Sequence, residues 1–122
     1  ARTASYGWSS LKDLPAEWRE RAFERRGDEY CLRPEFGRDV EFLYRDIRTA
    51  LPETAFHLVL CRNLVFTYFD PSLQCRTLER ILTRLVPDGA LVIGKGESLP
   101  AGEARCEPWS ARLGIYRLSA RA

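Results

Sequence analysis

The chain has 122 residues, 45% of them hydrophobic and 30% charged, with a formal net charge of +2. That size fits one domain with a real core, and the balance is that of a globular protein rather than a disordered one. Basic and acidic residues balance over residues 1–50, so a basic face for nucleic acid is not expected, and no apolar run reaches the ~18 residues needed to cross a bilayer. Cys31, Cys61, Cys75 and Cys106 are widely spaced and form no CxxC pair, which points to reduced thiols in a cytoplasmic protein and to no metal site. His57, the single histidine, lies inside an apolar run, where it cannot serve a Ser-His-Asp or Cys-His nucleophile. The chain contains no Met and starts at Ala1, and it is expected to be a piece of a longer polypeptide.

Residues 1–14 read as a polar connector with two aromatic anchors, Tyr6 and Trp8. Pro15 suits the first turn of a helix in which Leu14, Trp18 and Ala22 share one face and Gly27 is the stop. Residues 28–34 form a short extended piece, and Val40–Tyr44 (VEFLY) is rich in strand formers. That predicted strand ends in the polar run Arg45-Asp46-Ile47-Arg48. Phe56–Leu60 is an apolar run of the kind buried on both faces of a parallel sheet, ending at Cys61-Arg62-Asn63. Polar groups just past the carboxyl end of such a strand are where open α/β sheets bind ligands.

Asp70-Pro71 is a helix start, with Asp70 as N-cap and Pro71 at the first helical position. Cys75, Leu78, Ile81, Leu82, Leu85 and Val86 then recur at spacings of three and four, and Arg76, Arg80 and Arg84 mark a solvated face. Pro87-Asp88-Gly89 closes the helix, Ala90–Ile93 is a second buried strand, residues 94–110 read as loop, and residues 113–118 make a last strand. This order predicts an α/β sheet with mostly parallel strands and flanking helices.

Read together, the segments YGWSSLKDLP, FERRGDEYCLRPEFGRDVEFLYRDI, FHLVLCRNLVFTYFDPSLQCRTLERILTRLVPDGALVIGKGESL and GIYRL resemble the catalytic domain of CheR-type methyltransferases. Members of that family use S-adenosylmethionine to methylate glutamate side chains of receptors in bacterial chemotaxis and related pathways. The resemblance implies the carboxyl-terminal portion of a class I, Rossmann-like methyltransferase sheet, as one partial catalytic domain over residues 1–122. Residues 28–37 take the place of the family's small β subdomain in reduced form. The glycine-rich cofactor loop, the ribose-binding acid and the helical amino-terminal domain of the family would all lie upstream.

The resemblance also implies roles. Asp46 and the Ile47 backbone match the adenine-binding position, the alternative being Asp46 as a loop cap or a partner of Arg45 or Arg48. Cys61 and Arg62 match the cofactor-contacting pair at the end of the fourth strand; a strand-end salt bridge is the alternative for Arg62. Asn63 orients the substrate carboxylate or satisfies loop backbone groups. Tyr68 matches the aromatic residue near the transferred methyl, or is a core aromatic. Leu64–Thr67 places one residue more between Asn63 and Tyr68 than the chemoreceptor enzymes have, and Lys95 stands where they usually carry His. Glu97 matches a family position without an assigned role. The implied reaction is transfer of a methyl group to a protein glutamate on a receptor or signalling partner, leaving S-adenosylhomocysteine. Two other readings are a non-catalytic scaffold module derived from the fold and a methyltransferase acting on a small molecule. The piece is also expected to associate with itself through a sheet edge that lacks its neighbour.

Overall fold

The structure, a computed structural model, describes residues 3–120. They fall into two compact units that meet in sequence at Tyr44 and Arg45. None of the described helices is long and apolar enough to cross a membrane.

The first unit is built on a three-stranded antiparallel sheet in which β3 (Glu29–Leu32) lies between β1 (Ser5–Tyr6) and β2 (Phe23–Arg26). The expected helix is therefore shorter than its periodicity suggested: α2 spans Ala16–Ala22, and the chain turns into β2 at Phe23. Gly27 ends no helix. It occupies the first central position of a two-residue hairpin turn between Arg26 and Glu29, with φ +63°, a conformation that costs glycine nothing. The expected connector at the start also has structure. Tyr6 sits in β1 edge-on to Phe23 at 6.0 Å, and Trp8, at the start of α1 (Trp8–Leu11), lies against Tyr30 with the Arg19 guanidinium 4.6 Å from its ring centroid. Trp18 does not anchor the apolar face assigned to it, being 61% exposed. A short helix α3 (Pro34–Gly37) follows, with Pro34 at its first turn.

Val40–Tyr44 does not form the strand its composition favours: no strand lies between α3 and residue 56. Strand propensity measures how well side chains fit a pleated, half-buried surface. No partner strand runs beside this segment among the described residues, and Val40, Leu43 and Tyr44 are exposed.

The second unit holds the core. β4 (Phe56–Leu60) has the predicted bounds, and after the short helix α4 (Val65–Tyr68) comes α5 (Pro71–Arg84). Asp70 caps α5 by accepting from the Leu73 N–H at 3.0 Å, and Pro71 occupies a position whose N–H would have no helical partner. Asp70→Ala is expected to lower stability by about 0.5–2 kcal/mol in denaturant titration, through loss of this cap. Thr77, Leu78, Ile81 and Leu82 form the buried stripe of α5, and each large apolar side chain contributes roughly 1.5–3 kcal/mol by leaving water. Cys75, assigned to that stripe from its spacing, is exposed instead.

The helix passes into β5 (Leu85–Val92) without a loop. Leu85 caps α5 by donating to the Ile81 and Leu82 carbonyls and already pairs with Phe56 across the sheet. Leu85 and Val86 thus belong to a strand rather than to the helix stripe, and Pro87-Asp88-Gly89 is an irregularity inside that strand rather than a turn before it. The register moves from Phe56↔Leu85 to Leu58↔Ala90 across it.

The second sheet has the order β4-β5-β7-β6, with β6 at Cys106–Ser110 and β7 at Ile115–Leu118. β4 and β5 are parallel, as a strand–helix–strand crossover requires, but β5–β7 and β6–β7 are antiparallel. The sheet is therefore mixed rather than mostly parallel. β6, read from sequence as loop, turns back into β7 over a single turn of 3-10 helix at Ala111–Leu113, and so short a link permits only antiparallel pairing. On one face, Val59 of β4, Leu91 of β5 and Cys106 of β6 pack with Leu78, Ile81 and Leu82 of α5. On the other face of β4, Leu58 and Leu60 remain 55% and 66% exposed.

Candidate functional site

The carboxyl ends of the two parallel strands meet at a polar corner. Cys61 extends the ladder past β4 by donating to the Val92 carbonyl at 2.9 Å. Asn63 then takes a left-handed conformation, φ +56°, which Asn tolerates better than most residues, and the chain swings into α4. Its backbone N–H donates to Glu97 Oε1 at 2.8 Å. The same oxygen accepts from the Gly94 N–H at 2.6 Å, and Glu97 Oε2 accepts from the Thr67 hydroxyl at 2.7 Å.

One carboxylate thus ties the loop after β5 to the loop after β4 and to α4. Burial, the largest single influence on Glu97, pushes its pKa up. The hydrogen bonds from Thr67, Asn63 and Gly94 and the charge of Arg62 outweigh it, so Glu97 lies below the usual carboxylate range. The sequence assigned Glu97 no role and did not single out Thr67. The signal it carried was the match of Glu97 to a position of the family that the sequence resembles.

Beside this corner, β4, the segment around Ile47–Pro52 and α5 enclose a mainly apolar groove of about 410 Å³. Ile47, Cys61 and Arg62 all line it, so three of the residues singled out from sequence come together; Asp46, Asn63 and Tyr68 are not among its lining residues. Thr77 contributes to the wall with a fully buried hydroxyl that has no hydrogen-bond partner among the described residues. Burial raises the Cys61 thiol pKa and the Glu97 charge adds to that, against a smaller opposing effect of a hydrogen bond from the Val65 backbone N–H to the sulfur, so Cys61 stays a neutral thiol at pH 7.

Asp46 is engaged elsewhere. Its carboxylate accepts from the Arg48 backbone N–H at 3.0 Å and from the Arg48 guanidinium at 2.7–3.1 Å. Its backbone carbonyl accepts from Thr49 and Ala50. Arg80, placed from sequence on a solvated face, donates to the Arg48 carbonyl and so ties this turn to α5. The Arg48 side-chain hydrogen bonds, followed by the backbone one, bring the Asp46 pKa from 3.8 to about 2. A lowered folded-state pKa stabilises the fold above the unfolded value, and the contribution is lost as pH falls from about 4 to about 2. In Arg48→Ala, the Asp46 carboxyl followed by carbon-detected NMR is expected to titrate well above 2 but still below 3.8, because the backbone N–H of residue 48 remains a donor to it. Tyr68 ends α4 at 75% exposure, which is not the placement of a core aromatic.

Residues 1–114 match the family described as CheR methyltransferase, SAM binding domain. The chain belongs to that family. A chemotaxis protein methyltransferase of Listeria innocua is 30% identical over 94 residues, covering 77% of this chain and 36% of the relative. The probable biofilm formation methyltransferase WspC of Pseudomonas aeruginosa is 29% identical over 121 residues, 96% of this chain and 28% of the relative. A 104.1 kDa protein encoded in the hypE 3' region of Rhodobacter capsulatus is 34% identical over 105 residues, 86% of this chain and 11% of the relative. The chain therefore spans between about a tenth and about a third of the length of these relatives.

Membership of the CheR family implies S-adenosylmethionine as the cofactor and a Rossmann-like arrangement, of which the mixed sheet here retains one parallel pair. The residues present fit one side of such a ligand. The groove offers an apolar wall for a purine ring.

Proposed function

We propose that the chain is the carboxyl-terminal part of a catalytic domain that transfers a methyl group from S-adenosylmethionine to a carboxylate, the side chain of a protein glutamate. The observation that supports this best is the Cys61–Asn63 corner, which stands at the carboxyl ends of a parallel strand pair and borders a groove shared with Ile47. On this reading Ile47, Cys61 and Arg62 line the cofactor side, with the Arg62 guanidinium as the group that pairs with a carboxylate. Asp46 takes the adenine amino group by exchanging its exposed partner Arg48, a pair worth little in water. Asn63 and Tyr68 face the substrate.

The cofactor supplies a methyl group on a positively charged sulfur. A glutamate oxygen attacks that carbon, the carbon–sulfur bond breaks, and its electron pair returns to sulfur as a neutral thioether. The carboxylate is ionised at pH 7, so no proton moves and no general base is needed. What the protein contributes is alignment and exclusion of water. Two relatives are named for chemotaxis and for biofilm formation, which supports a receptor or other signalling protein as the substrate, and the reaction is placed in the cytoplasm. Residues 1–122 act as one partial domain, with 28–37 a reduced form of the small β subdomain. The rest of the cofactor pocket is supplied upstream, and the isolated chain is inactive, binds cofactor weakly and self-associates through the open edge of β4.

Joined to its upstream residues, the chain is expected to transfer labelled methyl groups to protein in a form that alkali releases as methanol, the mark of an ester. Methylation of small molecules instead would reassign the substrate. Absence of both transfer and cofactor binding would favour a scaffold role, which the engagement of Asp46 by Arg48 would suit.

A further inference from the structure

We infer that Glu97 is a positioning residue that locks the Cys61–Asn63 corner against the end of β5. Its functional consequence rests on the methyl-transfer reading; its structural basis does not. Three donors converge on the one carboxylate, and they come from three different places: Asn63 N–H in the corner, Thr67 Oγ1 in α4, and Gly94 N–H at the end of β5. Glu97 is itself pinned, because its own N–H donates to the Gly94 carbonyl at 3.0 Å.

Asn63, held at φ +56°, presses its side-chain oxygen against Gly94 at a point where no Cβ fits. A loop residue in a left-handed conformation is kept there when its surroundings over-determine it, and here the hydrogen bond from its N–H to Glu97 Oε1 does so. Cys61 and Arg62 lie between the ladder bond to Val92 and this anchor, so their backbone has two fixed ends. Direct methyl transfer needs no base, which leaves an ionised carboxylate at this place without a chemical task and with an evident mechanical one.

The test compares Glu97→Ala with Glu97→Gln. A glutamine carbonyl still accepts from Asn63 and Gly94, and its amide donates to the Thr67 hydroxyl. In this chain, amide hydrogen exchange at Asn63 and Gly94 is expected to accelerate about 10-fold or more in Glu97→Ala and to stay within about 3-fold in Glu97→Gln, while buried Leu91 is unchanged. Unchanged exchange in Glu97→Ala overturns the inference. Should that variant unfold, which acceleration at Leu91 would reveal, Thr67→Val removes one of the three donors. It should speed exchange at Asn63 and Gly94 by about 5-fold or more, beyond the roughly 3-fold margin allowed for Glu97→Gln, and no change there is equally fatal.

With the upstream residues attached, Glu97→Ala is expected to raise KM for S-adenosylmethionine about 10-fold, with Glu97→Gln restoring it. A glutamine variant as impaired as the alanine one would mean that charge, not hydrogen bonding, matters, and would overturn the positioning role. If even the unmodified protein transfers no methyl group, the proposed function fails, and the exchange measurement alone decides on Glu97.

Discussion

Gly94→Ala is expected to lower stability by about 1–3 kcal/mol and to disorganise the corner above β4. A Cβ at this position would overlap the Asn63 side-chain oxygen and stand 2.6 Å from Glu97 Oε1. Glu97 Oε1 cannot yield freely, since it is held by two backbone N–H groups. Urea titration measures the loss. The double variant Gly94→Ala with Asn63→Gly should recover part of it, because glycine removes the overlapping oxygen and adopts a positive φ without strain. If the single variant is as stable as the parent, the two loops are free to part and the carboxylate does not clamp them.

Leu78→Ala should cost more, about 2–5 kcal/mol, the range for removing a buried leucine and leaving a partial void. Leu78 is 2% exposed, at the contact between α5 and the sheet. The control is on the same helix. Cys75→Ala should change stability by less than about 0.5 kcal/mol, although spacing alone assigns Cys75 to the same stripe. Similar losses from both substitutions would mean that α5 turns a different face to the sheet.

What could be read from the sequence follows from how local each cause is. The bounds of β4 and the start of α5 were legible because a bounded apolar run and an Asp-Pro pair act over a few residues. The hairpin Phe23–Leu32 was hidden because the helical pattern of residues 15–22 runs smoothly into it, and Gly27 suits a helix stop and a hairpin turn equally. Val40–Tyr44 misled because strand propensity says nothing about whether a neighbour is there to pair with. Of the site, Asp46 with Arg48 was visible as one alternative, two residues apart. Glu97 was not, since its partners Asn63 and Thr67 lie 34 and 30 residues away and two of its three donors are backbone groups, which carry no signature in sequence.

The mixed sheet also orders its own assembly. β6 and β7 meet across the few residues from Ala111 to Gly114, so the entropy lost in closing that loop is small. β4 and β5 can pair only after all of the chain between Leu60 and Leu85, including α4 and α5, has been gathered in. Non-local pairing of this kind is slow. The β6–β7 hairpin is therefore expected to form before β4, the strand that presents the Cys61–Asn63 corner, is secured.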